Sequence, residues 1–69
     1  MIDKNEQQVI LAVTLELIEA YHITETEAEK WIDESGFKNT LSRDLEYVEH
    51  KNASYWAKMI YENAQSNFH

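Results

Sequence analysis

Residues 23–37 read Ile23-Thr24-Glu25-Thr26-Glu27-Ala28-Glu29-Lys30-Trp31-Ile32-Asp33-Glu34-Ser35-Gly36-Phe37, and they mark both ends of one helix. Thr24 and Glu27 form a Thr-x-x-Glu capping box, in which each side chain accepts a backbone N–H that the first turn would otherwise leave unpaired. Ile23, just before the cap, is set to pack on Ala28 as a hydrophobic staple. Ala28, Trp31, Ile32 and Ser35 then follow at helical spacing and give one inward face. Gly36 stands where a helix that stops in the left-handed conformation wants a residue without a Cβ, and Phe37 supplies the apolar contact that accompanies such a stop. The stretch predicts a helix over 25–35, and with it an all-α protein.

Working upstream, Asp3 and Glu6 form a variant capping box that opens a helix over about 3–22. Val9, Ile10, Val13, Leu17, Ala20 and Tyr21 make one apolar face, and Leu11, Leu15 and Ile18 make a second strip beside it. The combined stripe is wider than an ordinary amphipathic helix needs. This helix is therefore central to the bundle or shares a face with a partner. Downstream, Leu41, Leu45 and Val48 give a narrow face to a third helix over about 40–50, with Thr40 or Asn39 as its cap. A fourth, over 53–65, begins at Asn52 or Ser54, both good N-caps. Its core face is Ala53, Trp56, Ala57, Ile60 and Ala64, while Tyr55 and Met59 lie off that face and adjoin each other at i, i+4. The tail from Gln65 to His69 is expected to fray. Trp31, Phe37, Trp56 and Tyr61 read as core. No run alternates with period two between turn signals, so no strand is expected. The expected fold is a single domain over 1–69, a compact bundle of three to four short helices joined by tight turns.

Composition narrows the function. The chain has 69 residues, one Gly, no Pro and no Cys, and 13 Asp/Glu against 6 Lys/Arg give a net charge of −7. Without Cys there is no disulfide framework, thiolate metal site or cysteine nucleophile. The acidic excess opposes direct contact with a phosphate backbone, which needs cations to displace counterions. A chain this short builds a marginal core, so self-association or a partner is an expected source of extra stability. The longest apolar run, Val9 to Val13, is too short for a secretory signal or a membrane span, which predicts a cytoplasmic protein with no membrane contact.

The charge is gathered in one part of the chain. Residues 16–34 carry Glu16, Glu19, Glu25, Glu27, Glu29, Asp33 and Glu34 against Lys30 alone, a net −6, while residues 35–69 are neutral. An acidic helix surface aids solubility, and acids near an N-terminus complement the helix dipole. Yet Glu25 and Glu29 are like charges at i, i+4, a mildly unfavourable arrangement, and a concentrated negative field steers a cationic partner. A second surface is suggested by Leu11, Leu15, Ile18, Tyr55 and Met59, which fall beside the core faces of the two longest helices, as an apolar interface would.

The sequence carries no complete catalytic or metal-binding constellation. Glu19-x-x-His22 is one copy of a spacing that di-iron bundles use twice, and Glu46 with His50 supplies two metal ligands where a closed zinc site needs four. No metal or cofactor is expected. Ser35, Ser42, Ser54 and Ser66 fall at or near helix ends, where Ser caps, and none sits in a Gly-x-Ser-x-Gly turn. No catalytic residue is assigned and no enzyme is expected. A helix–turn–helix built around Gly36 would read with Lys38, Arg43 and Lys51 offset by Asp44, Glu46 and Glu49, poor support for nucleic-acid binding.

Ser35-Gly36-Phe37, with Leu45 after it and Trp56-Ala57-x-x-Ile60 later, resembles the Gly-Phe loop and third helix of ubiquitin-associated domains. The resemblance covers about residues 28–60, with a one-residue slip in the middle helix and a long first helix outside the pattern. It implies that the Gly-Phe loop and the later helix would contact ubiquitin. In style the chain also resembles the short acidic helical proteins of bacterial phages and mobile elements. The expectation is a small, non-enzymatic interaction or regulatory protein. It would bind a basic surface of a protein partner through the acidic corner, as an inhibitor. A homo-oligomeric helical module (a homodimer at its simplest) is the alternative, and a helix–turn–helix regulator a distant one.

Overall fold

The computed structural model describes residues 4–66, which form five helices in the order α1 (Lys4–Tyr21), α2 (Glu25–Ser35), α3 (Phe37–Arg43), α4 (Leu45–Glu49) and α5 (Ala53–Ser66). No strand occurs among the described residues. The all-α expectation holds, but the count of three to four helices does not. Asp3, and with it the first capping box, lies outside the described residues, as do residues 67–69 of the tail.

The second helix follows its sequence signals. Thr24 is extended at φ −80° and ψ 163°, and its hydroxyl oxygen accepts the Glu27 N–H at 3.1 Å. Gly36 is left-handed at φ 77° and ψ 12°, and its N–H donates back to the Asp33 carbonyl. Ser35 joins this stop to the next helix. Its hydroxyl donates to the Ile32 carbonyl at 2.8 Å and accepts the Phe37 N–H at 3.2 Å. The chain therefore re-enters a helix at Phe37, directly after Gly36, and not at residue 40. Thr40 and Asn39 lie inside α3 and are not its cap.

A single helix over 40–50 is corrected for a second reason. Asp44 leaves the helical region at φ −151° and ψ 74°, and its Oδ1 accepts the Tyr47 N–H at 3.0 Å. An aspartate that bonds the backbone three residues ahead competes with continuation of the preceding helix and favours a new start. The resulting kink leaves Leu41 and Val48 both buried on either side of it. Asn52 caps α5, accepting the Tyr55 N–H at 2.9 Å. Ser54, the other candidate cap, instead donates its hydroxyl to Glu16 Oε1 at 2.8 Å, a bond between α5 and α1.

The core draws on every element: Val13 and Leu17 of α1, Ala28 and Ile32 of α2, Phe37 and Leu41 of α3, Val48 of α4, and Trp56, Ala57, Ile60 and Ala64 of α5. α1 packs on α5 and α2, and α2 packs on α5, so these three form the frame that α3 and α4 close. Trp56 is the hub of that closure. Its Nε1–H donates to the Val48 carbonyl at 2.9 Å, and its ring meets Phe37, Tyr47 and Tyr55 with centroids 5.4, 5.9 and 5.0 Å away. Tilted and edge-on pairs of this kind add to the area that each ring buries. Near the end of α1, Tyr21 stacks on Tyr61 at 4.1 Å, with Trp31 at 5.8 Å. Trp31 and Tyr61 are half-buried, packed against the core. His22 ends α1 in the left-handed region at φ 55°, a stop without glycine. No helix among the described residues is long and apolar enough to cross a membrane.

Candidate functional site

A three-residue segment, 22–24, links α1 to α2, and an open groove of about 280 Å³ lies between these helices and the start of α3. Its lining comes from Gln7, Ile10, Leu11, Thr14 and Leu15 of α1, Glu25 and Glu29 of α2, and Lys38 of α3. Leu11 is 58% and Leu15 51% exposed. Each lies two positions from Val13, about 200° round the helix, and so well away from the core row of Val13 and Leu17, at the outer edge of the groove. Thr14 is buried, and its hydroxyl donates to the Ile10 carbonyl at 2.7 Å, so that polar group is satisfied within α1. The exposed part of the groove is thus largely aliphatic, with carboxylates along one rim.

The acidic residues divide into sets. Glu25, Glu29 and Asp33 follow one another at every fourth position of α2, the first two lining the groove, while Glu27 and Glu34 occupy another row of the same helix seven residues apart. Asp33 pairs with Lys38 at 2.8 Å. That pairing compensates the cation at the groove. Glu25 and Glu29 have no ion-pair partner among the described residues. Glu16 is half-buried and accepts from Ser54, on the α5 flank of α1, and Glu19 is exposed. The seven carboxylates are therefore not one continuous field. Two of them, Glu25 and Glu29, share a groove with exposed leucines.

The apolar set divides as well. Ile18 is half-buried and packs against the core. Tyr55 lies edge-on to Trp56, with the Lys51 Nζ 5.2 Å from its ring centroid, a cation–π arrangement. Met59, 46% exposed, borders a different cleft with Ser35, Phe37, Thr40, Trp56, Ile60 and Asn63. So Leu11 and Leu15 join Glu25 and Glu29, and Tyr55 and Met59 belong to another surface. The signal for this grouping is present in the sequence: a pair of leucines and a pair of glutamates, each spaced by four, on two helices linked by a short turn. Assigning the leucines and the glutamates to separate faces hid it.

Among the described residues no three His, Cys, Asp or Glu side chains converge to hold a metal ion. The Gly36–Phe37 turn meets α5 through the Phe37 and Trp56 rings. No protein-family model, no curated protein and no solved structure matches this chain.

Proposed function

We propose that this protein is a non-enzymatic interaction protein that binds the basic surface of a protein partner at the α1–α2 groove, and that occupying that surface regulates or inhibits the partner. The observation that supports it is the pairing, in one groove, of two half-exposed leucines with two carboxylates that have no ion-pair partner among the described residues. Apolar contact supplies affinity as area leaves water. The carboxylates supply attraction at a distance and orientation on arrival. A net charge of −7 extends that attraction beyond the groove itself. A partner surface that otherwise holds nucleic acid has the matching charge.

Self-association through the same leucines is the second reading, favoured by their exposure. It would bring Glu25 and Glu29 of one copy towards the negative surface of another, which opposes it. Affinity capture from the native cell tests the main reading. The tagged protein should retain a partner with a basic surface, and retention should fall on raising salt and on changing Glu25 and Glu29 to Lys. Retention indifferent to both would remove the proposal.

A further inference from the structure

Resting on that reading, we infer that the occupant of the α1–α2 groove is a single amphipathic helix, with aliphatic residues on the face that enters and Lys or Arg along the flank that meets Glu25 and Glu29. Leu11 and Leu15 are four residues apart on α1, and Glu25 and Glu29 are four apart on α2. Each pair therefore spans about 6 Å along its helix at 1.5 Å per residue. A partner helix repeats its own side chains at the same four-residue step, so one face can answer the leucines while the adjoining flank answers the glutamates. An extended peptide cannot dock here by strand addition, which needs a sheet edge with unpaired backbone groups: both walls are helices, whose amides bond within their own segments.

Charge selects the partner's sign. The cation at the groove, Lys38, pairs with Asp33 at 2.8 Å and not with Glu25 or Glu29. A second copy of this chain, at −7, would add repulsion where an incoming cationic helix adds attraction. The buried Thr14 hydroxyl, already donating to Ile10, places no unmet donor under an aliphatic face. Sealing the groove would also cover Leu11 and Leu15, the most exposed large aliphatic side chains among the described residues.

The test uses the whole chain and a synthetic peptide of roughly 15 residues, near the length at which an isolated helix becomes stable. Its ends are blocked, with Leu on one face and Lys on the other. A scrambled peptide of identical composition but no amphipathic face is the control. Fluorescence anisotropy should show the patterned peptide binding at least about tenfold more tightly than the scrambled one, a difference of about 1.4 kcal/mol. Leu15→Ser should weaken binding, and so should Glu25→Lys with Glu29→Lys, while circular dichroism shows each variant still helical. Amide shifts in NMR should concentrate on α1 and α2 around the groove. Equal binding of the two peptides, shifts centred on the Met59 cleft, or no binding at all would overturn the helix assignment. If a basic partner is captured from cells in a Glu25- and Glu29-dependent way while the patterned peptide fails, the occupant is a folded basic surface: this inference falls and the broader reading stands. If both experiments fail, both fall.

Discussion

The two flanks of α1 are finished in different ways. On the α5 flank, Glu16 is tied to Ser54 at 2.8 Å, Tyr21 stacks on Tyr61 at 4.1 Å, and Val13 and Leu17 disappear into the core. On the α2 flank, aliphatic surface of the same kind is left open at Leu11 and Leu15 and bordered by carboxylates. What separates them is the size of the opposing side chains. The α5 side and the α3–α4 segment beside it supply Trp56, Tyr61 and Phe37, large rings that fill space. The face that α2 turns towards the leucines carries Glu25 and Glu29, whose charges resist burial. Buried aromatic packing is concentrated on one side, and exposed aliphatic surface on the acidic side.

Substitutions on the two sides should therefore separate stability from binding. The largest effect is expected at Trp56. Trp56→Ala removes a buried indole, at a cost of about 3–5 kcal/mol. That rivals the whole stability that a core of this size provides, so far-UV circular dichroism should show a largely unfolded chain at room temperature. Trp56→Phe is the milder change: it removes the indole donor and part of the buried ring, while the Val48 carbonyl keeps the Lys51 N–H at 3.2 Å, and it should cost about 1–3 kcal/mol by urea denaturation. Next comes the break between α3 and α4, where Asp44→Ala removes a cap and should cost about 1 kcal/mol in the same assay.

At the turn into the groove the sign reverses. His22 holds a left-handed φ of 55°, and a non-glycine residue there is strained by about 1–2 kcal/mol. His22→Gly relieves that strain against a backbone-entropy penalty of about 0.5–1 kcal/mol, so melting should shift slightly upward. On the open flank, Leu15→Ser should change stability by less than about 1 kcal/mol, because half of the side chain is already in water. The same substitution should weaken partner binding. Smallest of all, Lys38→Ala breaks an exposed pair worth about 0–1 kcal/mol and leaves Asp33 free. It should barely move the melt, yet strengthen binding of a cationic peptide at low salt. A large stability loss at Leu15, or none at Trp56, would erase the distinction between the flanks.

Legibility in the sequence follows how local each signal is. α2 could be read end to end, because the Thr24–Glu27 capping box and the left-handed Gly36 act within a few residues of themselves. The core positions of α5 were legible from spacing alone. The division at Asp44 is not, because in the sequence its carboxylate reads as charge offsetting Lys38, Arg43 and Lys51. Its bond to the Tyr47 N–H is as local as the one at Thr24, but it lies inside a continuous apolar pattern at Leu41, Leu45 and Val48. The stop at His22 without glycine has no composition signal. The candidate site was half legible. Its residues could be named from pattern and charge, but their grouping depends on how α2 packs across α1. A net charge summed along the chain cannot show that Glu16 turns towards Ser54, or that Asp33 is matched by Lys38.

The most direct test of the account compares the two acidic rows of α2 at equal change of charge. The partner recovered from cells is titrated against the unaltered protein, the groove-row variant Glu25→Lys with Glu29→Lys, and the opposite-row variant Glu27→Lys with Glu34→Lys. The account predicts that the groove-row change abolishes or greatly weakens binding while the opposite-row change leaves affinity within a few-fold. Equal losses from the two variants would mean that net charge alone attracts the partner, and that the groove is not where it docks.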